Sequence, residues 1–90
     1  SKVYKVDPEF YISWTEGAME FDAMPFPLLI ARLSRCYNVD IQIASKELET
    51  MKFTGVIFRN KPLDFALDII HRVSDVKFEK KGETILVKKQ

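Results

Sequence analysis

Apolar and polar residues alternate with a period of two in several short stretches of the chain and crowd together in two longer ones. Strict alternation marks a half-buried strand, and denser apolar spacing marks a helix. Residues 1–16 read as an irregular start, with a turn at Asp7-Pro8 and one short extended segment where Phe10, Ile12 and Trp14 alternate with Tyr11, Ser13 and Thr15. Gly17 closes it. Ala18–Asp22 reads as a strand with Met19 and Phe21 on one face and Glu20 on the other. Pro25 and Pro27 suit a helix's first turn, and a helix is expected from about Pro25 to Cys36, ended by Asn38. Val39, Ile41 and Ile43 alternate with Asp40 and Gln42 as a second strand. A polar connection over 44–51, with one helical turn near Ser45–Leu48, leads to a strand over Lys52–Phe58 that contains Gly55. Arg59-Asn60-Lys61 is a turn, with Asn60 as the expected cap of a helix from Pro62 to about Val73. Val76–Lys80 and Thr84–Lys88 form a hairpin around Lys81-Gly82-Glu83.

The pattern repeats. Laying Pro25 over Pro62, an offset of 37 residues, places Phe21 on Phe58, Arg35 on Arg72 and Val39 on Val76. Apolar positions follow: Met19 on Val56, Leu28 on Phe65, Ile30 on Leu67, Leu33 on Ile70, Cys36 on Val73 and Ile41 on Phe78. A register held through strand, turn, helix and strand points to one unit used twice. Both helices hold more apolar residues than a single stripe requires, so each needs cover on more than one side. The expected fold class is therefore α+β: two strand–helix–strand repeats, with two helices sandwiched between two small β-sheets. Residues 1–16 read as an extended arm or linker from a preceding domain, and 17–90 as the doubled domain.

Composition adds limits. The 90 residues are 47% hydrophobic and 30% charged with a formal net charge of +1, the balance of one ordinary globular domain. Basic residues interleave with acidic ones, as in Glu79-Lys80-Lys81-Gly82-Glu83, with none of the basic excess that a direct nucleic-acid binder carries. The single cysteine, Cys36, excludes an internal disulfide, and at an apolar helix position it reads as a small buried hydrophobe. His71, three residues after Asp68, reads as a surface residue suited to a helix C-terminus rather than as a general base. No glycine-rich phosphate loop is present, no metal-ligand spacing occurs, and no cofactor is implied. No apolar run approaches the ~20 residues that span a bilayer. The start, Ser1-Lys2-Val3-Tyr4-Lys5, lacks a signal-peptide pattern and opens in an extended one, which points to a piece cut from a longer protein.

Five segments together resemble a known family. They are Trp14-Thr15-Glu16-Gly17-Ala18-Met19-Glu20-Phe21, Leu33 to Ile41, Phe53-Thr54-Gly55, Pro62-Leu63-Asp64-Phe65-Ala66-Leu67-Asp68 and Gly82-Glu83-Thr84-Ile85-Leu86-Val87. In order and spacing they resemble the C-terminal periplasmic domain of FecR-type sigma-factor regulators of Bacteroidetes-like bacteria, over about Glu9 to Lys88. The chain departs from that pattern at Asp22-Ala23-Met24-Pro25-Phe26-Pro27, where a second proline enters the first turn of the helix. The resemblance implies a periplasmic part of a single-pass inner-membrane protein, related in fold to the short secretin/TonB N-terminal signalling domain. It implies a protein partner, the signalling domain of a TonB-dependent outer-membrane transporter, and no enzymatic activity.

Small sheets leave edges, and an edge accepts a strand from a partner. The edges expected to be open are the strand ending at Lys88 and the strand Lys52–Phe58, with Arg59, Lys77, Glu79 and Lys88 selecting the partner. Trp14, on the aromatic arm, is a further candidate contact. Two other readings share these features: a structural or oligomerisation adaptor packing on a preceding domain, and a secretin-type assembly domain.

Overall fold

In a computed structural model, the backbone of residues 2–7 and 10–15 and all of residues 17–90 are described. The element order is β1 (Lys2–Asp7), β2 (Phe10–Thr15), β3 (Ala18–Pro25), α1 (Phe26–Tyr37), β4 (Asp40–Ile43), a 3-10 turn (Lys46–Glu49), β5 (Lys52–Phe58), α2 (Leu63–Ser74), β6 (Val76–Lys81) and β7 (Thr84–Lys89). The strands form two sheets, ordered β1-β2-β3-β5 and β4-β7-β6. Each unit begins in the first sheet, crosses through its helix and ends in the second. Both helices pack on strands of both sheets: α1 on β3, β5 and β4, and α2 on β5 and β6. The fold is the expected α+β arrangement.

Two local readings change. Residues 2–7 and 10–15, expected to be mostly irregular, form strands. β1 pairs with β2, and β2 pairs antiparallel with β3, so the alternation at Phe10, Ile12 and Trp14 belongs to a ladder. Asn60 does not cap α2. Pro62 holds the cap position without a side-chain bond, and the Phe65 N–H donates to its carbonyl at 3.1 Å.

The repeat holds from the helices onward. Asn38 and Asp75, 37 residues apart, both end their helices in the left-handed conformation, at φ 53° and 55°. Asn and Asp tolerate that conformation better than other side chains. Leu29, Ile30 and Leu33 are buried, and so are Ala66, Leu67 and Ile70, their equivalents at the same offset. The strands before the helices break the register. Phe21 is buried while Phe58 is 39% exposed, and the buried residues of β5 are Phe53 and Ile57. The causes are a bulge in β3 between Phe21 and Met24, and the four residues 59–62 that separate β5 from α2 whereas β3 runs straight into α1. A one-residue slip moves side chains to the opposite face.

The bulge falls in the segment Asp22–Pro27, where the chain departs from the pattern it otherwise resembles. Ala23 there has φ 56°, and its N–H donates to Thr54 Oγ1 at 3.0 Å. Across from Phe21 stands Gly55, covered by the Phe53 ring, which meets Phe21 edge-on with centroids 6.2 Å apart. A Cβ on Gly55 would lie 2.7 Å from Phe53 Cζ. Phe53 is 1% exposed and has little room to yield. Gly55→Ala is therefore expected to destabilise the chain by about 1–3 kcal/mol. The check is a lower urea midpoint at unchanged slope; an unchanged midpoint contradicts the packing described.

Candidate functional site

Three of the five expected contact residues come together, on the outer face of the second sheet. Lys77 and Lys88 stand directly opposite each other across β6 and β7, an unfavourable like-charge pair if left alone. Glu79 lies two residues along β6 and bonds Lys88 Nζ at 2.9 Å and Lys77 Nζ at 3.5 Å. The bonded Lys88 ammonium holds the Glu79 carboxyl below the usual carboxylate range, and Lys77 assists. Beside this cluster, Asp40 accepts from Thr84 Oγ1 at 3.0 Å and from Gln42 Nε2 at 3.1 Å.

Arg59 sits apart from them. It follows β5, and its N–H donates to the Gly17 carbonyl at 2.9 Å, which ties it to the first sheet. The backbone of Trp14 pairs with Lys2 and Met19, and its side chain lies outside the described residues. The strand ending at Lys88 is no edge. β7 is the central strand of its sheet, parallel to β4 on one side and antiparallel to β6 on the other. A hairpin read from sequence leaves one side of its second strand open; here β4, distant in sequence, fills it. β5 is an edge, as expected.

Two shallow grooves flank the helices. One, of about 370 Å³, lies between α2 and β6 and is lined by Asp64, Leu67, Asp68, His71, Lys77, Phe78 and Lys80. The other, of about 390 Å³, lies between α1 and β4 and is lined by Pro27, Ile30, Ala31, Ile41, Ile43 and Glu49. Pro27, Ile30, Ala31, Ile41 and Ile43 are the equivalents of Asp64, Leu67, Asp68, Phe78 and Lys80 at the 37-residue offset, so the two grooves are one feature present twice. Catalytic geometry is missing from the charged one. Asp68 pairs with Arg72 at 2.9 Å rather than with His71, and His71 Nδ1 donates to the Val76 carbonyl at 2.5 Å, latching the end of α2 to β6. Among the described residues, no three His, Cys, Asp or Glu side chains stand close enough to hold a metal ion.

Cys36 is exposed, not buried as expected. The buried row of α1 is Phe26, Leu29, Ile30 and Leu33, and one turn further on Tyr37 continues it while Cys36 falls to the flank. Tyr37 donates its hydroxyl to the Lys61 carbonyl at 3.2 Å, which fastens α1 to the loop before α2. Burial pushes that hydroxyl's pKa up, the adjacent Cys36 adds to this, and Arg59 opposes it.

The FecR C-terminal family matches residues 18–87. Two crystal structures of a protein from Parabacteroides distasonis ATCC 8503, assigned as an anti-sigma factor, share the fold, with TM-scores of 0.75 and 0.74 at 20% identity. Each match covers 92% of this chain and 48% of the other, so the chain spans about half the length of that protein. No curated protein matches the sequence.

Two outcomes test the site as described. In the native chain Cys36 is expected to react with a thiol reagent nearly as fast as in the unfolded chain; strong protection contradicts its exposure. The second concerns acid. A carboxylate with a depressed folded pKa contributes stability above its unfolded pKa and loses it as pH falls through the folded one. Glu79→Gln is thus expected to flatten the decline in stability between about pH 5 and 3, seen in urea midpoints; an unaltered decline contradicts the ion pair's role. With most of its length matched, and with the fold that the match implies, the chain belongs to the FecR C-terminal family.

Proposed function

We propose that the chain is the non-catalytic, signal-receiving module of a transmembrane sigma-factor regulator. It stands in the periplasm and binds the signalling domain of a TonB-dependent outer-membrane transporter. The observation that carries this reading is the family match over residues 18–87, on a doubled strand–helix–strand domain in which Glu79, Asp68 and His71 are held in the domain's own ion pairs and latch. Membership in the family makes the chain part of a signalling regulator. Among the described residues the surface offers sheet edges, exposed apolar side chains and solvated charges, the features through which proteins contact one another. Among the described residues no helix is long and apolar enough to cross a membrane.

The test is calorimetric titration of the 90-residue chain with the periplasmic signalling domain of the transporter encoded beside its gene. A one-to-one complex, absent with the signalling domain of an unrelated transporter, supports the reading. No heat with the cognate domain, from protein whose amide spectrum shows it folded, overturns it.

A further inference from the structure

The helices carry more apolar surface than the sheets cover. On α2, Phe65 is 43% and Val73 55% exposed, with Ile69 half-buried between them. Spaced by four, these three form a stripe along one flank. Asp64, Asp68 and His71, which face β6, lie on the opposite flank. The Phe65 ring meets Phe58, the last residue of β5, edge-on with centroids 6.1 Å apart, so the stripe begins at the end of that strand.

Among the described residues β5 is paired on one side only, with β3. The other edges are blunted. β4 has 4 residues, β6 carries Lys77, Lys80 and Lys81 with a Lys80–Asp64 pair at 3.4 Å across its groove, and the register of β1 is irregular between Tyr4 and Asp7. β5 has 7 residues with Lys52 only at its start. The internal repeat supplies a direction. Exchanging the two units carries β3 onto β5, and it carries β2, antiparallel to β3, onto the open side of β5.

Charge selects the occupant. From Met51 to Leu63 the chain holds Lys52, Arg59 and Lys61 and no acidic residue, and Lys61 Nζ lies 5.7 Å from the Phe65 ring centroid. A second copy pairing through β5 would set these cations against themselves. We propose that the open side of β5 accepts an extended segment of a partner protein, antiparallel to β5, in which acidic residues alternate with apolar ones that cover Phe65, Ile69 and Val73. This deepens the proposed function and rests on it: it names the receiving surface and the chemistry of what is received.

The probe is a synthetic peptide as long as β5, alternating valine with glutamate, titrated into isotope-labelled chain beside the same peptide with lysine for glutamate. The expected result is amide shifts over Lys52–Phe58 and on the Phe65–Val73 flank, with the lysine peptide at least about tenfold weaker. Val73→Glu, at an exposed position, is expected to weaken the acidic peptide by a similar factor. Shifts confined to β1, β4 or β6, equal affinity for both peptides, no shift at all, or self-association of the chain through β5 overturns the inference. With the cognate signalling domain, a footprint on β5 supports both proposals. A footprint elsewhere overturns this inference and leaves the proposed function standing. No binding of that domain sinks the proposed function, while the peptide result still decides the surface.

Discussion

Neither strand–helix–strand unit can bury its own helix, and the rest of the structure follows from that. Each unit places its first strand in one sheet and its second strand in the other, so a lone unit leaves its helix between two unpaired strands. An isolated strand has no ladder for its backbone groups, which must be paired once they leave water. The two units solve this together. β3 and β5 pair with each other, and β4 and β6 take the two sides of β7. The core is shared in the same way, with Phe26 and Leu29 of the first unit in one cluster with Phe53, Ile57 and Ile70 of the second. The Tyr37 hydroxyl on the Lys61 carbonyl and the Phe26 N–H on the Met51 carbonyl, at 2.8 Å, join the units at both ends of α1.

Much of this was legible in the chain, and the reasons differ by element. The duplicated helices and the strands after them keep their spacing because helix length and a left-handed cap fix where the next strand begins, and Asn38 and Asp75 mark both caps. The strands before the helices are legible one by one, with Met19 and Phe21 on one buried face and β5 at Lys52–Phe58, but not their equivalence at the 37-residue offset, because the bulge at Ala23 and the loop 59–62 set the register. The edges were half read. β5 is the edge the small-sheet reading names, whereas the central place of β7 depends on a parallel partner more than forty residues away, which no local pattern reveals. The candidate contact residues do not share one place. Lys77, Glu79 and Lys88 meet because β6 and β7 form a hairpin, while Arg59 belongs to the other sheet.

The surplus of apolar residues on the helices was read as a demand for cover by two sheets, and the sheets are there. Yet Leu28, Phe65 and Val73, part of that surplus, remain exposed. A few exposed apolar side chains are ordinary on any surface. What sets α2 apart is their order along one flank and their junction with Phe58 on an unpaired strand. The same duplication that closes the core leaves the two units unequal at the rim. Among the described residues β3 has a neighbour on each side and β5 has one, so the second unit keeps open a side that the first has filled from its own chain.

Amide hydrogen exchange on the intact 90-residue chain tests this account most directly, because it reads the shared core and the open edge in one measurement. The interlocked units predict one common opening free energy for the bonded amides of β3, α1 and β4 and for those of β5, α2 and β6, together with fast exchange of the outward-facing amides of β5. Separate opening of either unit, or slow exchange along the outer side of β5, would contradict it.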